Sequence, residues 1–333
     1  MKVAINGLGR IGRAAFKILM DEPDLQLVAA NDLVSPDNLA YLIRYDTVYG
    51  RYHRKVTAEK DALVVDGRDR VRLSSERDPS KLPWSELGVD LIFECTGAFR
   101  HAADLKKHIS AGASFVILSA PPRDEEIGVV VHGVNRPDGK TQMISCASCT
   151  TNSIAPLVEV MQRRIGIERA IMTTVHAYTS SQRLVDSENK SFRRGRAAGA
   201  NMVPTSTGAA QATARALPEV AGKFDGVAIR VPVAVGSIAD VVFVAKRPTT
   251  REEVNEIFTK EAGTERYQGI LGVSEDPIVS SDIIGDPRAS VVDLEMTRVV
   301  DGTLVKVMSW YDNEWGFTNQ MVREAKSLIM ARV

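Results

Sequence analysis

Apolar residues along this chain change their spacing several times, and each change marks an element. Val3-Ala4-Ile5 is a short unbroken apolar run, as expected of a strand buried on both faces, and Ile11, Ala15, Ile18 and Leu19 then recur at helical spacing. Residues 25–30 predict a second strand, ended by Asn31-Asp32. Residues 89–95 and 115–119 read as further strands with a helix over 102–111 between them. Strands and helices in alternation predict an α/β domain with a mainly parallel sheet. The β-like run 142–148 leads into a helix carrying Ile154, Leu157, Val158, Met161 and Ile165 on its apolar face.

Beyond that helix the apolar segments lengthen. Residues 170–178 alternate, which places Thr174, His176 and Tyr178 on one face. Residues 227–234 read as another long strand interrupted by Arg230, and residues 297–310 as a hairpin about Asp301-Gly302. A helix over 317–330 closes the chain. The second half therefore predicts an α+β domain with a largely antiparallel sheet.

Length supports two domains, since 333 residues exceed one typical core. With 44% hydrophobic and 25% charged residues the composition is globular. A formal net charge of zero gives no electrostatic reason to expect nucleic acid or an anionic membrane as a main ligand. Met1-Lys2 runs directly into apolar residues without signal-peptide anatomy, and no stretch reaches the roughly 20 apolar residues of a membrane span. Three cysteines are too few for a disulfide framework, so a cytoplasmic protein is expected. No metal site is expected.

The first strand and helix are joined by Gly7-Leu8-Gly9-Arg10-Ile11-Gly12, a G-x-G-x-x-G in the required setting. Gly7 suits a tight turn, Gly9 close approach of a pyrophosphate, and Gly12 close packing of helix on sheet. Asp32, twenty residues past Gly12, is placed to accept hydrogen bonds from an adenosine ribose, and its charge disfavours a 2′-phosphate. NAD is therefore expected rather than NADP. Thr96, Gly97 and Ser119 follow predicted strand ends, where ligands of open α/β sheets bind.

Cys149, in Ser148-Cys149-Thr150-Thr151-Asn152, falls at a strand-to-helix junction. Unpaired amides and the helix dipole favour an anion there, so a depressed thiol pKa and a nucleophilic thiolate are expected. His176 is the natural base to pair with it. Thr179, Arg194, Arg196, the run Thr205-Ser206-Thr207-Gly208, and Arg230 form an anion-friendly set, arginines and hydroxyls suiting phosphate oxygens.

These segments together resemble the phosphorylating glyceraldehyde-3-phosphate dehydrogenases. The similarity is carried in order by Ile5–Arg13, Ala147–Asn152, His176–Thr179, Pro204–Ala210, Arg230–Pro232 and Ser309–Glu314, over essentially the whole length. The resemblance implies that Cys149 attacks the aldehyde of glyceraldehyde 3-phosphate, His176 takes the hydroxyl proton as NAD is reduced, and inorganic phosphate releases the thioester as 1,3-bisphosphoglycerate. It implies that Thr179 and Arg230 hold the C3 phosphate, and that Ser148, Arg194, Thr207 and Gly208, with Thr150 nearby, receive inorganic phosphate. It maps Arg10, Ile11, Asp32, Arg77, Ser119 and Asn313 onto cofactor contacts. It implies a homotetramer, and a final helix that returns to the NAD domain, so that residues 1–148 and 313–333 form one domain and 149–312 the catalytic one.

Three departures stand out. Cys146 occupies a position where the family usually has Asn, which invites a role in resolving oxidised Cys149. The loop 185–191 lacks a Pro-containing signature common in NAD-specific members, and Glu188 within it further disfavours NADP. The run 231–237 is atypical on the substrate side. Rival readings are an erythrose-4-phosphate dehydrogenase, a paralogue using arsenate, and a binding protein that has kept the dinucleotide fold for RNA or a partner. An intact Cys149, His176 and Arg230 argue against lost catalysis.

Overall fold

Strand register explains why three polar residues meet at one end of the first sheet. Asn6, Asn31 and Glu94 terminate the neighbouring strands Lys2–Asn6, Gln26–Asn31 and Leu91–Glu94, and Asn6 is paired with both of the others. The computed structural model describes residues 1–136 and 141–330. Contacts divide the chain into two units, Met1–Val130 with Pro137–Ala147 and Met321–Val333, and Val131–Arg136 with Ser148–Gln320. Among the described residues no helix is long and apolar enough to cross a membrane.

The first unit carries a nine-stranded sheet in the order Gly128–Val129, Met143–Ser145, Phe115–Leu118, Leu91–Glu94, Lys2–Asn6, Gln26–Asn31, Asp69–Ser74, Ala62–Val65, Val56–Glu59. The first seven run parallel and the last two pairings are antiparallel. Apolar runs on both sides explain the parallel part: Val3, Ala4, Ile5, Leu91, Ile92 and Phe93 are fully buried. Ala4, Trp84, Ile92, Leu105, Val116 and Leu118 belong to one core. The final helix, Trp315–Met330, sends Lys326 to Glu22 and Asp24 within this unit. The α/β reading holds, while the antiparallel edge over residues 56–74 is an addition to it.

The second unit is a seven-stranded sheet, ordered Val203–Ser206, Phe224–Val231, Ile167–Ala177, Ser237–Ala245, Leu304–Tyr311, Ser290–Val300, Leu271–Ser274, with four of its six pairings antiparallel. The helix Cys149–Arg164 contributes Ile154, Leu157, Val158 and Met161 to a core shared with Val241, Phe243 and Val307. The hairpin turns at Asp301 and Gly302, both with positive φ, which suits the twist of the strands it joins.

Several boundaries differ from the sequence reading, the strand over 227–234 being Phe224–Val231 and the hairpin over 297–310 running from Ser290 to Tyr311, and two of them bear on the site. The strand before Cys149 is only Met143–Ser145, because Ala147 takes a left-handed φ of +59° that ends extended structure. Tyr178 lies past the strand Ile167–Ala177 and is half-exposed, so it does not share the buried face of Thr174 and His176.

Candidate active site

In the first unit Gly7, with φ of +93°, lies against Thr96, and a Cβ there would come within 2.7 Å of the Thr96 amide nitrogen. A Cβ at Gly12 would run into the Gly7 carbonyl oxygen, whereas the space beside Gly9 is open. The helix Arg10–Leu19 that follows has no side-chain cap at Gly9. Asp32 accepts from the Leu8 amide at 2.6 Å and the Val34 amide at 2.9 Å, which ties the acid to the glycine turn. An open glycine, an uncapped helix N-terminus and a tethered carboxylate are what a dinucleotide's pyrophosphate and ribose require, so these residues fit NAD. Arg10 is paired with Asp46 and Ile11 is partly exposed on the first helical turn. Arg77 is exposed on the loop past strand Asp69–Ser74. Gly97 adopts φ of +71°, and the Ser119 amide donates to the Glu94 carbonyl.

Beneath the glycine turn lies a buried polar network that sequence reasoning did not single out. Glu94 is fully buried and accepts from Asn6 Nδ2 at 2.6 Å, His108 Nε2 at 3.1 Å, the Thr96 amide at 2.8 Å and the Thr96 hydroxyl. Trp84 Nε1 can only donate, and it donates to His108 Nδ1 at 3.0 Å, so the imidazole carries its hydrogen on Nε2. Asn31 donates to Asn6 Oδ1 at 2.7 Å and extends the network to the strand that ends at Asp32. The one local signal was an acid closing an otherwise apolar strand.

In the second unit Ser148 caps the helix Cys149–Arg164, its hydroxyl accepting from the Thr151 amide at 3.1 Å. Cys149 is thus the first helical residue, and its Sγ lies 3.3 Å from His176 Nε2. His176 is buried at the end of strand Ile167–Ala177, with Tyr311 edge-on to its ring at a centroid distance of 5.9 Å. Its Nδ1 lies 2.7 Å from the Ala177 carbonyl and 2.6 Å from Arg230 Nη1, which also donates to that carbonyl at 2.9 Å. Burial, and then the charge of Arg230, lowers the imidazole pKa to about 3, so the ring is uncharged at neutral pH.

The thiol does not behave as its place at a helix N-terminus suggested. Burial among protein atoms pushes the Cys149 pKa up, and the pulls of Arg230 and of the Thr150 amide and hydroxyl do not overcome it. That direction runs against the depressed pKa expected from the helix N-terminus, and His176 is within reach to take the thiol proton. Cys146 is buried, and burial pushes its thiol well up, which leaves little thiolate for redox exchange.

The anion-friendly residues are arranged unequally. Arg230 is half-buried with a buried, unpartnered Nε, and Arg194 stands near enough for its charge to bear on it. Arg194 donates to Thr205 Oγ1 at 2.9 Å and to the Ser206 carbonyl at 3.3 Å. Thr207 accepts from the Ala209 amide at 3.2 Å, and exposed Gly208 caps the helix Ala209–Ala216 with open space beside it. Thr179 shares a hydrogen bond with Ser181 at 2.9 Å, and its amide donates to Gln182, whose buried Nε2 has no partner. Arg196 instead pairs with Asp186, and Arg183 donates to the Glu188 carbonyl, so these two serve the loop itself. Asn313 Oδ1 accepts from the Gly236 amide and the Ser237 hydroxyl.

Residues 1–102 match the family described as glyceraldehyde 3-phosphate dehydrogenase, NAD binding domain, and residues 148–313 its C-terminal domain. The chain belongs to the glyceraldehyde-3-phosphate dehydrogenase family. It is 48% identical over 326 residues to glyceraldehyde-3-phosphate dehydrogenase 2 of Streptomyces avermitilis, covering 97% of this chain and 96% of that one. It is 46% identical to the Zymomonas mobilis enzyme of that name over 98% of both chains. To that of Borreliella burgdorferi it is 47% identical, over 99% of this chain and all of the relative. The chain is thus an NAD-dependent oxidoreductase of this family. Tyr311 lies within the motif Ser309–Glu314 but was given no role from sequence; its hydroxyl bonds both Thr150 and Thr174.

Proposed function

We propose that the chain catalyses oxidative phosphorylation of glyceraldehyde 3-phosphate to 1,3-bisphosphoglycerate, with Cys149 as nucleophile and His176 as acid–base. The observation that carries this reading is the 3.3 Å approach of an uncharged buried imidazole to a thiol on the first turn of a helix. As Sγ bonds to the aldehyde carbon, Nε2 takes the thiol proton and returns it to the developing oxyanion, giving a hemithioacetal. NAD, when bound, accepts the hydride that leaves this carbon. His176 takes the hydroxyl proton in that step, and the product on sulfur is a thioester. Phosphate oxygen then adds to the thioester carbon, the carbon–sulfur bond breaks, and the acyl phosphate departs from a regenerated thiolate.

Thr179 and Arg230 hold the C3 phosphate in this reading, supported by the buried, uncommitted Nε of Arg230. Inorganic phosphate goes to Ser148, Thr150, Arg194, Thr207 and Gly208. Gly7, Gly9, Arg10, Ile11, Gly12, Asp32, Arg77, Thr96, Gly97, Ser119 and Asn313 serve the cofactor, with 1–148 and 313–333 as its domain and 149–312 as the catalytic domain. A cytoplasmic homotetramer completes the reading. Its support is the apolar exposure of Ile171 and Val227 on the second sheet and of Leu184, Val185, Phe192 and Met202 on the loop between strands.

The test is NADH formation from glyceraldehyde 3-phosphate with and without phosphate, in the parent and in Cys149→Ala. Multiple turnovers that require phosphate, and a loss of several orders of magnitude in the variant, are expected. Turnover independent of phosphate would indicate a thioester hydrolase, and an active variant would remove Cys149 from the mechanism.

A further inference from the structure

One buried hydroxyl holds the turn through which the chain enters the Cys149 helix. Ser145 closes the strand Met143–Ser145, and its Oγ lies 2.9 Å from the Ala147 amide nitrogen and 2.7 Å from the Ala120 carbonyl oxygen. An amide can only donate and a carbonyl only accept, so both roles of the hydroxyl are fixed: it accepts from Ala147 and donates to Ala120. Ser145 and Ala147 are fully buried, where a lost partner is not replaced by bulk water. Ladder bonding ends one residue on, with the Cys146 amide donating to the Leu118 carbonyl at 3.0 Å. Ala147 then takes φ of +59°, which brings its Cβ against the backbone. Ser148 returns to extended backbone, with φ of −125°, and caps the helix.

We infer that Ser145 is a positioning residue for the nucleophile, acting through the left-handed turn at Ala147. The inference rests on Cys149 being that nucleophile. A residue other than glycine keeps a positive φ only where its surroundings over-determine it. Ser145 supplies that constraint by tying the Ala147 amide to the carbonyl of the loop that follows strand Phe115–Leu118. Only Ser148 stands between Ala147 and Cys149, and its hydroxyl is committed to the Thr151 amide. A change of φ at Ala147 therefore passes to the helix cap, and through the cap to the position of Sγ.

Two substitutions separate placement from stability. Ser145→Ala takes the acceptor from the Ala147 amide, so nothing then holds alanine at a positive φ. The turn relaxes toward ordinary backbone and the sulfur moves with it. Adding Ala147→Gly puts at that position a residue for which a positive φ carries no steric penalty, although its amide is still unpaired. In the double variant the rate of the chemistry returns while the melting temperature stays down. A Ser145 that served the fold alone would keep those two quantities moving together.

The experiment measures three quantities in the parent, Ser145→Ala and Ser145→Ala/Ala147→Gly: the rate of the NADH burst from glyceraldehyde 3-phosphate without phosphate, the dissociation constant for NAD, and the melting temperature. Ser145→Ala is expected to slow the burst by about 10- to 100-fold with NAD binding within about twofold of the parent. The double variant is expected to recover to within about threefold of the parent burst rate while melting as low as the single variant. A burst as fast as the parent's in Ser145→Ala, or one as slow in the double variant as in the single, would overturn the inference. So would loss of NAD binding in Ser145→Ala, which would make the hydroxyl a support of the fold. Alkylation of Cys149 in the parent by iodoacetamide, mapped by peptide mass spectrometry, tests the nucleophile separately: a burst that survives it removes Cys149 from the chemistry whatever the variants do.

Discussion

Glu94→Gln tests the network beneath the cofactor cradle with almost no change of shape. Each Glu94 oxygen serves two donors: Oε1 takes the Thr96 amide and hydroxyl, and Oε2 takes Asn6 Nδ2 and His108 Nε2. A glutamine has one oxygen, so whichever way the amide turns, its NH2 faces a pair of donors. The Thr96 hydroxyl can rotate to accept, but the Thr96 amide cannot. On the other side, Trp84 fixes the hydrogen of His108 on Nε2, so neither donor there can adapt. The least costly arrangement orphans the part-buried Thr96 amide and weakens two bonds that a carboxylate had strengthened, costing about 3 kcal/mol. At about 2–4 °C per kcal/mol the melting temperature should fall by about 6–12 °C, read by calorimetry. Because Gly7 is seated on Thr96, the KM for NAD should also rise, roughly tenfold if about 1.4 kcal/mol of cradle positioning is lost, with kcat nearly unchanged. A melting temperature within about 2 °C of the parent, with an unaltered KM for NAD, would refute the assignment of those four bonds.

Two further outcomes follow from other parts of the molecule. Bonds from Arg163 hold the buried Glu261 carboxyl below its usual range, and Arg163 and Tyr267 with the charge of Arg266 do so for Glu159 against the opposing effect of burial. Carboxyls depressed in the folded state stabilise it above their unfolded pKa of about 4.3, and that contribution is lost as pH falls through the lower folded value. Arg163→Gln should therefore lose roughly 2 kcal/mol at pH 7, a part-exposed pair being weaker than a fully buried one, and the gap to the parent should narrow below about pH 4 in urea titrations; a gap independent of pH would contradict this. With Asp32 tied to the glycine turn, a 2′-phosphate meets a fixed like charge, so kcat/KM for NADP should be at least about 100-fold below that for NAD. Comparable values for the two cofactors would remove Asp32 as the discriminator.

What was legible in the sequence was local. Gly7, Gly9, Gly12 and Asp32 lie within one strand–helix–strand unit, and their meaning depends on chain conformation over a few residues. Cys149 was legible for the same reason, since a strand ending in Ser148-Cys149 before helical spacing places a thiol on a first turn. The helix terminus acts on that thiol locally, whereas the burial that opposes it comes from elements far away in sequence. The Glu94 network joins residues 88 and 14 positions apart, and Thr150 and Tyr311 are 161 apart. No periodicity announces such pairs. Strand ends were misjudged where one residue broke the pattern, as Ala147 does through its positive φ.

The central claim is that the oxidised carbon is carried on the sulfur of Cys149. The direct measurement is to mix the protein with glyceraldehyde 3-phosphate and NAD in the absence of phosphate, quench in acid within milliseconds, and map the adduct by mass spectrometry. The account predicts one phosphoglyceroyl group on the peptide bearing Cys149 for each NADH formed, discharged when phosphate is added. An equivalent burst of NADH with Cys149 unmodified would contradict it.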